Sequence, residues 1–314
     1  MQLPKTDGRR RAPLFLRLVT PQFRVGRLNK LQPAPNSVFI LSTGRTGTVY
    51  LADLLNQLDG VVALHEPKPS RVLNAWTTAF LEGRISVDFM TAALAGKRRK
   101  TFKNVHAKRL YVESNNFIAG FADALGAVFD DPVVVHLVRD PRDFITSLTN
   151  RGDDRGIRKL FNKYVPYWAY VPEGVKKRQL NALTRAAYRW VAINEYLDDF
   201  GTRSRNCHFF KFEDVFDREH PDQLHELLRA IGLTNRDISR LDFAAKSRPA
   251  QPRFSLLDRP SDSANRSKHA AMAPWREWTA AERQEVDRIC GPLMRRYGYG
   301  SEPEWQVSAE GDGQ

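Results

Sequence analysis

The sequence predicts an α/β fold, a single domain whose mainly parallel central sheet is flanked by helices. Three observations predict it. Short, almost wholly apolar runs recur at residues 38–41, 61–64 and 133–138, as strands buried on both faces do. Helical spacing follows such runs, as in Leu51, Leu54, Leu55 and Leu58 after the first. Strand and helix signals alternate along the chain, with no internal repeat.

The elements follow in order. Val38-Phe39-Ile40-Leu41 reads as a strand, then Ser42-Thr43-Gly44-Arg45-Thr46-Gly47-Thr48 as a loop opening a helix. Val61-Val62-Ala63-Leu64 is a second strand, ending in His65-Glu66-Pro67-Lys68. Phe117, Phe121, Leu125 and Val128 mark a helix before the strand 133–138. That strand runs into Arg139-Asp140-Pro141-Arg142-Asp143 and a helix through Ser147. Trp190, Ile193, Leu197 and Phe200 mark a longer helix that Gly201 is expected to close. His208–Phe212 reads as a strand; Leu224, Leu227, Leu228 and Ile231 form a helix that Gly232 stops. Residues 247–275 lack periodicity, the pattern of a functional or disordered loop. A last helix carries Val286, Ile289, Cys290 and Leu293, and the chain from about Ser301 is expected to fray.

The boundaries that result are a basic arm over 1–35, a domain over 36–300 and a tail over 301–314. The 314 residues carry a formal net charge of +13, of which the first 30 contribute +7 through eight basic side chains and one acid, Asp7. The body is thus only mildly basic, which disfavours a nucleic-acid partner. The short apolar patch Leu14–Val19 reads first as packing on the domain and second as weak contact with an anionic membrane surface, with Pro21 ending it. Cys207 and Cys290 make neither a disulfide framework nor a zinc spacing, and no apolar run has spanning length. A cytoplasmic protein needing no metal is the expectation.

The loop after the first strand carries chemistry. Gly44 and Gly47 allow a tight turn in which backbone N–H groups converge at a helix amino terminus, a cradle for an anion. Arg45, Thr46 and Thr48 add a cation and two hydroxyls. A nucleoside-triphosphate loop would require G-x-x-x-x-G-K-[ST], but Val49 stands where its second glycine should be and no Lys-Ser or Lys-Thr follows Gly47.

Strand, x-x-G-R-T-G-T and amphipathic helix together resemble the 5′-phosphosulfate loop of the sulfotransferase superfamily, which uses 3′-phosphoadenosine 5′-phosphosulfate (PAPS). Leu137-Val138-Arg139-Asp140-Pro141-Arg142-Asp143 with Ser147 resembles that family's 3′-phosphate segment, an arginine at a strand end and a serine eight positions on. Phe212-Glu213-Asp214 and the Cys290–Tyr299 helix ending are similar to further family segments, so the resemblance spans residues 36–299.

The resemblance implies a P-loop-like sulfotransferase fold with PAPS as cosubstrate. It implies donor binding by Gly44, Arg45, Thr46, Gly47, Thr48 and Val49, although Val49 lacks the hydroxyl common there. Arg139 and Ser147 would hold the 3′-phosphate, and Arg266 in the late loop would close over the nucleotide. Arg45 would stabilise the leaving side, and Glu66, in a Glu-Pro segment similar to that of carbohydrate and tyrosyl-protein sulfotransferases, would be the base. His65 is its rival because histidine titrates near neutrality, and His106 is a further candidate. The basic run from Lys97 through Lys103, Lys108 and Arg109 reads as a solvated face or as a guide for an anionic acceptor. Trp190 reads as core; Trp275 reads as core or as a stacking surface. The acceptor is expected to be a glycan, glycolipid or small molecule. The competing readings are a non-catalytic nucleotide or nucleic-acid binder and an atypical phosphotransferase.

Overall fold

The computed structural model describes residues 36–68, 70–105, 107–150, 170–176, 179–244 and 272–305. The arm, His106, the loop holding Arg266, and the end of the chain lie outside the described residues.

Five strands form one sheet: β1 (Asn36–Leu41), β2 (Val61–His65), β3 (Leu110–Ser114), β4 (Val133–Val138) and β5 (Cys207–Lys211). All pairings are parallel, in the order β2-β3-β1-β4-β5. The side-chain alternation of β1 explains why it is apolar throughout. Phe39 and Leu41 pack on one face with Tyr111 and Val134, beneath α2 (Ser70–Leu81), α3 (Val87–Val105), α4 (Ala122–Val128) and α6 (Ala182–Arg203). Val38 and Ile40 pack on the other with Val112, Val135 and Leu137, under α1 (Thr48–Leu55) and α8 (Asp222–Ala230). A third apolar cluster joins α5 (Pro141–Asn150), α6 and α10 (Ala280–Arg296) around Trp190, Trp275 and Trp305. The short helices α7 (Phe212–Val215) and α9 (Asn235–Ile238) complete the described set.

The strand order places a topological switch at β1 and β4. From β1 the chain crosses towards β2; from β4 it crosses the opposite way to β5. The helices following two adjacent strands therefore diverge to opposite faces, leaving a crevice at the carboxyl ends of those strands. Both sequence motifs with anion-binding chemistry sit there.

Four expectations are corrected. The interior strand β3 was not expected. Its Glu113 is wholly buried, where a charge is normally excluded, because Arg98 of α3 donates to it through Nε at 2.7 Å. Tyr111 and Asn115 also donate to this carboxylate. The basic run is accordingly not one solvated face: Arg98 is core, while Arg109 binds Asp237 at 2.9 Å beside the amino end of β3, away from the crevice. Gly201 does not close α6, which continues to Arg203; Arg203 pairs with Asp199 and Asp123, so the last turn is held by charge rather than ended by a left-handed residue. Residues 301–305 do not fray: Trp305 is buried and Glu302 accepts two bonds from Arg142. The packed body thus runs past the expected boundary at 300.

Candidate anion-binding and catalytic site

The loop between β1 and α1 is built from left-handed backbone. Gly44, Arg45 and Gly47 have φ of 94°, 62° and 66°. Neighbours crowd both glycines, Gly47 the more severely. A Cβ at Gly47 would lie 2.6 Å from the Phe216 ring, and one at Gly44 would lie 3.1 Å from Nδ2 of Asn116. Ser42 Oγ braces the loop from within, accepting from Gly44 N at 3.0 Å and Thr46 Oγ1 at 2.9 Å. Thr46 and Thr48 are buried, whereas Val49 is half exposed on the first turn of α1. No side chain caps α1, so its first N–H groups and its positive dipole end face the crevice.

The two motifs, far apart in sequence, meet here. Arg45 Nε donates to Ser147 Oγ at 2.8 Å, and Arg139 Nη1 donates to the Arg45 carbonyl at 2.7 Å. Arg139 lies over the Phe212 ring at 4.6 Å, with its Nε buried and without a partner. Trp190 Nε1 donates to the Arg139 carbonyl at 2.8 Å, fixing the strand tip from α6. Glu213 fixes it from the other side, accepting from Asp140 N at 3.0 Å and Tyr299 Oη at 2.6 Å. Burial pushes the Glu213 carboxyl above its ordinary range, opposed by these two donors. This explains the Phe212-Glu213-Asp214 segment: Phe212 supports Arg139 and Glu213 holds the turn.

Arg142, three residues beyond Arg139, does something different. It is buried, bonds both carboxylate oxygens of Asp140, and lies against the Trp275 and Trp305 rings at 4.1 and 5.1 Å. Trp275 is therefore core and supports a structural arginine.

Glu66 stands at the end of β2, where its N–H donates to Ser114 O at 2.9 Å. Its φ is 47°, uncommon for a side chain with a Cβ, and Pro67 disfavours the right-handed alternative. Asn116 Nδ2 donates to Glu66 Oε1. Because Asn116 also lies against Gly44, the carboxylate is one side chain away from the loop. His65 Nδ1 sits 3.2 Å from Ser114 Oγ and its Nε2 3.7 Å from Glu66 Oε1. Ser114 Oγ in turn donates to Thr48 O at 3.2 Å, tying the tips of β2 and β3 to the head of α1.

The geometry thus gathers Gly44, Arg45, Thr46, Gly47, Thr48, Arg139 and Ser147 in one crevice, with Glu66 and His65 at its rim. Two residues missed by sequence reasoning complete the rim: Asn116, and Arg189 of α6, whose Nη2 donates to Asn116 Oδ1 at 3.1 Å. Arg189 carries a weak sequence signal, a cation next to the buried Trp190; Asn116 carries none.

No protein-family model matches the chain, and no curated protein matches it. Solved sulfotransferases are similar to it at low identity. The sulfotransferase domain from the curacin biosynthetic pathway shares 15% identity over 84% of this chain and 98% of that one, with a TM-score of 0.46. A mouse sulfotransferase complexed with PAP shares 13% over 86% and 89%, also at 0.46. A sulfotransferase from Alicyclobacillus acidocaldarius shares 15% over 86% and 98%, at 0.44. Likenesses of this degree assign no role to any residue. Among the described residues no helix is long and apolar enough to cross a membrane.

Proposed function

We propose that the chain transfers a sulfuryl group from PAPS to a hydroxyl or amine acceptor, a carbohydrate or other small molecule, by in-line displacement. The observation that carries this reading is the contact of Arg45 with both Ser147 and Arg139 across the switch point. Side chains of this set offer donors from two strand tips, which suits a ligand with an anionic group at each end. An orphaned, buried Arg139 Nε fits the same ligand.

In this reading the loop 44–48 and the head of α1 hold the 5′-phosphate, and Arg139 with Ser147 holds the 3′-phosphate. The Arg45–Ser147 bond is exchanged for bonds to the nucleotide. The acceptor oxygen or nitrogen attacks sulfur as the bond from sulfur to the bridging phosphate oxygen breaks. Glu66 takes the acceptor proton, and Arg45 neutralises the charge that develops on the departing 3′,5′-diphosphoadenosine (PAP). His65 stands close enough to Glu66 to modulate it or to replace it as base. His106 and Arg266 are outside the described residues and keep the roles the resemblance implies.

Two measurements test the reading. The protein is retained on immobilised PAP, and free PAP, but not duplex DNA, releases it. With labelled PAPS and pooled acceptors, Glu66→Ala lowers transfer by about 100-fold or more, the scale of a lost general base. Retention insensitive to free PAP would defeat the donor assignment. Undiminished transfer in Glu66→Ala would move the base to one of the histidines.

A further inference from the structure

We propose that Arg189 and Asn116 are positioning residues that keep Glu66 ionised and aimed at the loop, a relay from cation to amide to carboxylate. The proposal rests on Glu66 being the base.

A guanidinium can only donate; an ionised carboxylate can only accept. Only a group with both capacities joins them, and the Asn116 amide does so. Its Oδ1 takes the bond from Arg189 Nη2 at 3.1 Å, which leaves Nδ2 to face Glu66 Oε1. The amide cannot flip without setting Nδ2 against the arginine and Oδ1 against the carboxylate. With Oδ1 already engaged, a protonated Glu66 would find no oxygen of Asn116 facing it. The arrangement thus matches the ionised form, the one that accepts a proton, and a hydrogen bond to that form favours it.

The relay is anchored at both ends. Arg189 Nη1 donates to Asn74 Oδ1 at 3.0 Å, so α2 and α6 together set its position. Asn116 begins the short helical turn after β3 and packs against Gly44. The loop that would bind the donor and the carboxylate that would take the proton therefore share one side chain. The left-handed backbone of Glu66 has a use in this light: it turns the carboxylate back towards the amide at the cost of local strain.

The test titrates Glu66 directly in the full chain labelled with carboxyl-¹³C glutamate, the resonance being assigned by its absence in Glu66→Gln. In Asn116→Asp, which cannot donate from an ionised carboxylate and adds a like charge, the Glu66 midpoint rises by more than one pH unit. Smaller rises are expected in Asn116→Ala and Arg189→Gln, and Arg189→Lys recovers part of the wild-type midpoint. A merely structural role would not move this titration in folded variants. A midpoint unchanged in both Asn116→Ala and Arg189→Gln, with wild-type circular dichroism, overturns the proposal. The titration needs no nucleotide. Failure of PAP to bind the wild-type chain would remove the sulfotransferase reading while leaving the relay to stand or fall on its own result.

Discussion

Arg139 and Arg142 leave the same turn at the tip of β4 and have opposite fates. Arg142 is enclosed by Asp140, Glu302 and two indole rings, so its charge is neutralised and its donors are used. Arg139 meets the Arg45 carbonyl and a phenyl face, and one of its buried donors has no partner. The first is how a fold treats a charge it must bury; the second is what the proposed function expects of a charge kept for a ligand. Arg98 repeats the charge neutralisation through Glu113 inside the sheet, although its Nη1 too is buried without a partner; the lack of a bonded carboxylate is what sets Arg139 apart.

The contrast is sharpest when arginines are removed. Arg98→Ala and Arg142→Ala each strand buried carboxylates and are expected to cost about 3–5 kcal/mol in chemical denaturation. Arg139→Ala breaks no hydrogen bond to an acid and leaves Asp143 the Arg142 and Arg276 charges, so it is expected to cost under about 1 kcal/mol. Equal losses at 139 and 142 would break the distinction.

A smaller effect is expected from acid. The Arg142 guanidinium holds the Glu302 carboxyl down at about 2. A carboxyl depressed in the folded state stabilises it above the ordinary glutamate range, and that contribution fades as pH falls towards 2. Glu302 is about a third exposed, so solvent screening reduces the contribution to roughly 1 kcal/mol. Denaturation at pH 7 and pH 3 should show this difference between wild type and Glu302→Gln, and identical pH dependence would show that the pair adds nothing.

The same contrast explains what the sequence made legible. Strands β1, β2, β4 and β5 were readable because apolar runs mark them. Strand β3 was not, because Glu113 and Ser114 break its pattern and its countercharge, Arg98, hides in Lys97-Arg98-Arg99-Lys100, which looks solvated. Arg45, Arg139, Ser147 and Glu66 could be named as candidates because each stands in the loop or helix that follows a strand end. Asn116 and Arg189 were not, since their meaning lies in contacts 50 and 73 residues away in sequence. The role of Glu302 was equally hidden, 160 residues from Arg142.

The central claim is that the tips of β1 and β4 grip one nucleotide. Calorimetric titration of PAP into the wild type and Arg139→Ala tests it most directly. One site is expected in the wild type, weakened by about 10- to 100-fold in the variant, the loss of a charge-assisted hydrogen bond or two. Equal affinity in the two proteins, or no binding to the wild type, would contradict it.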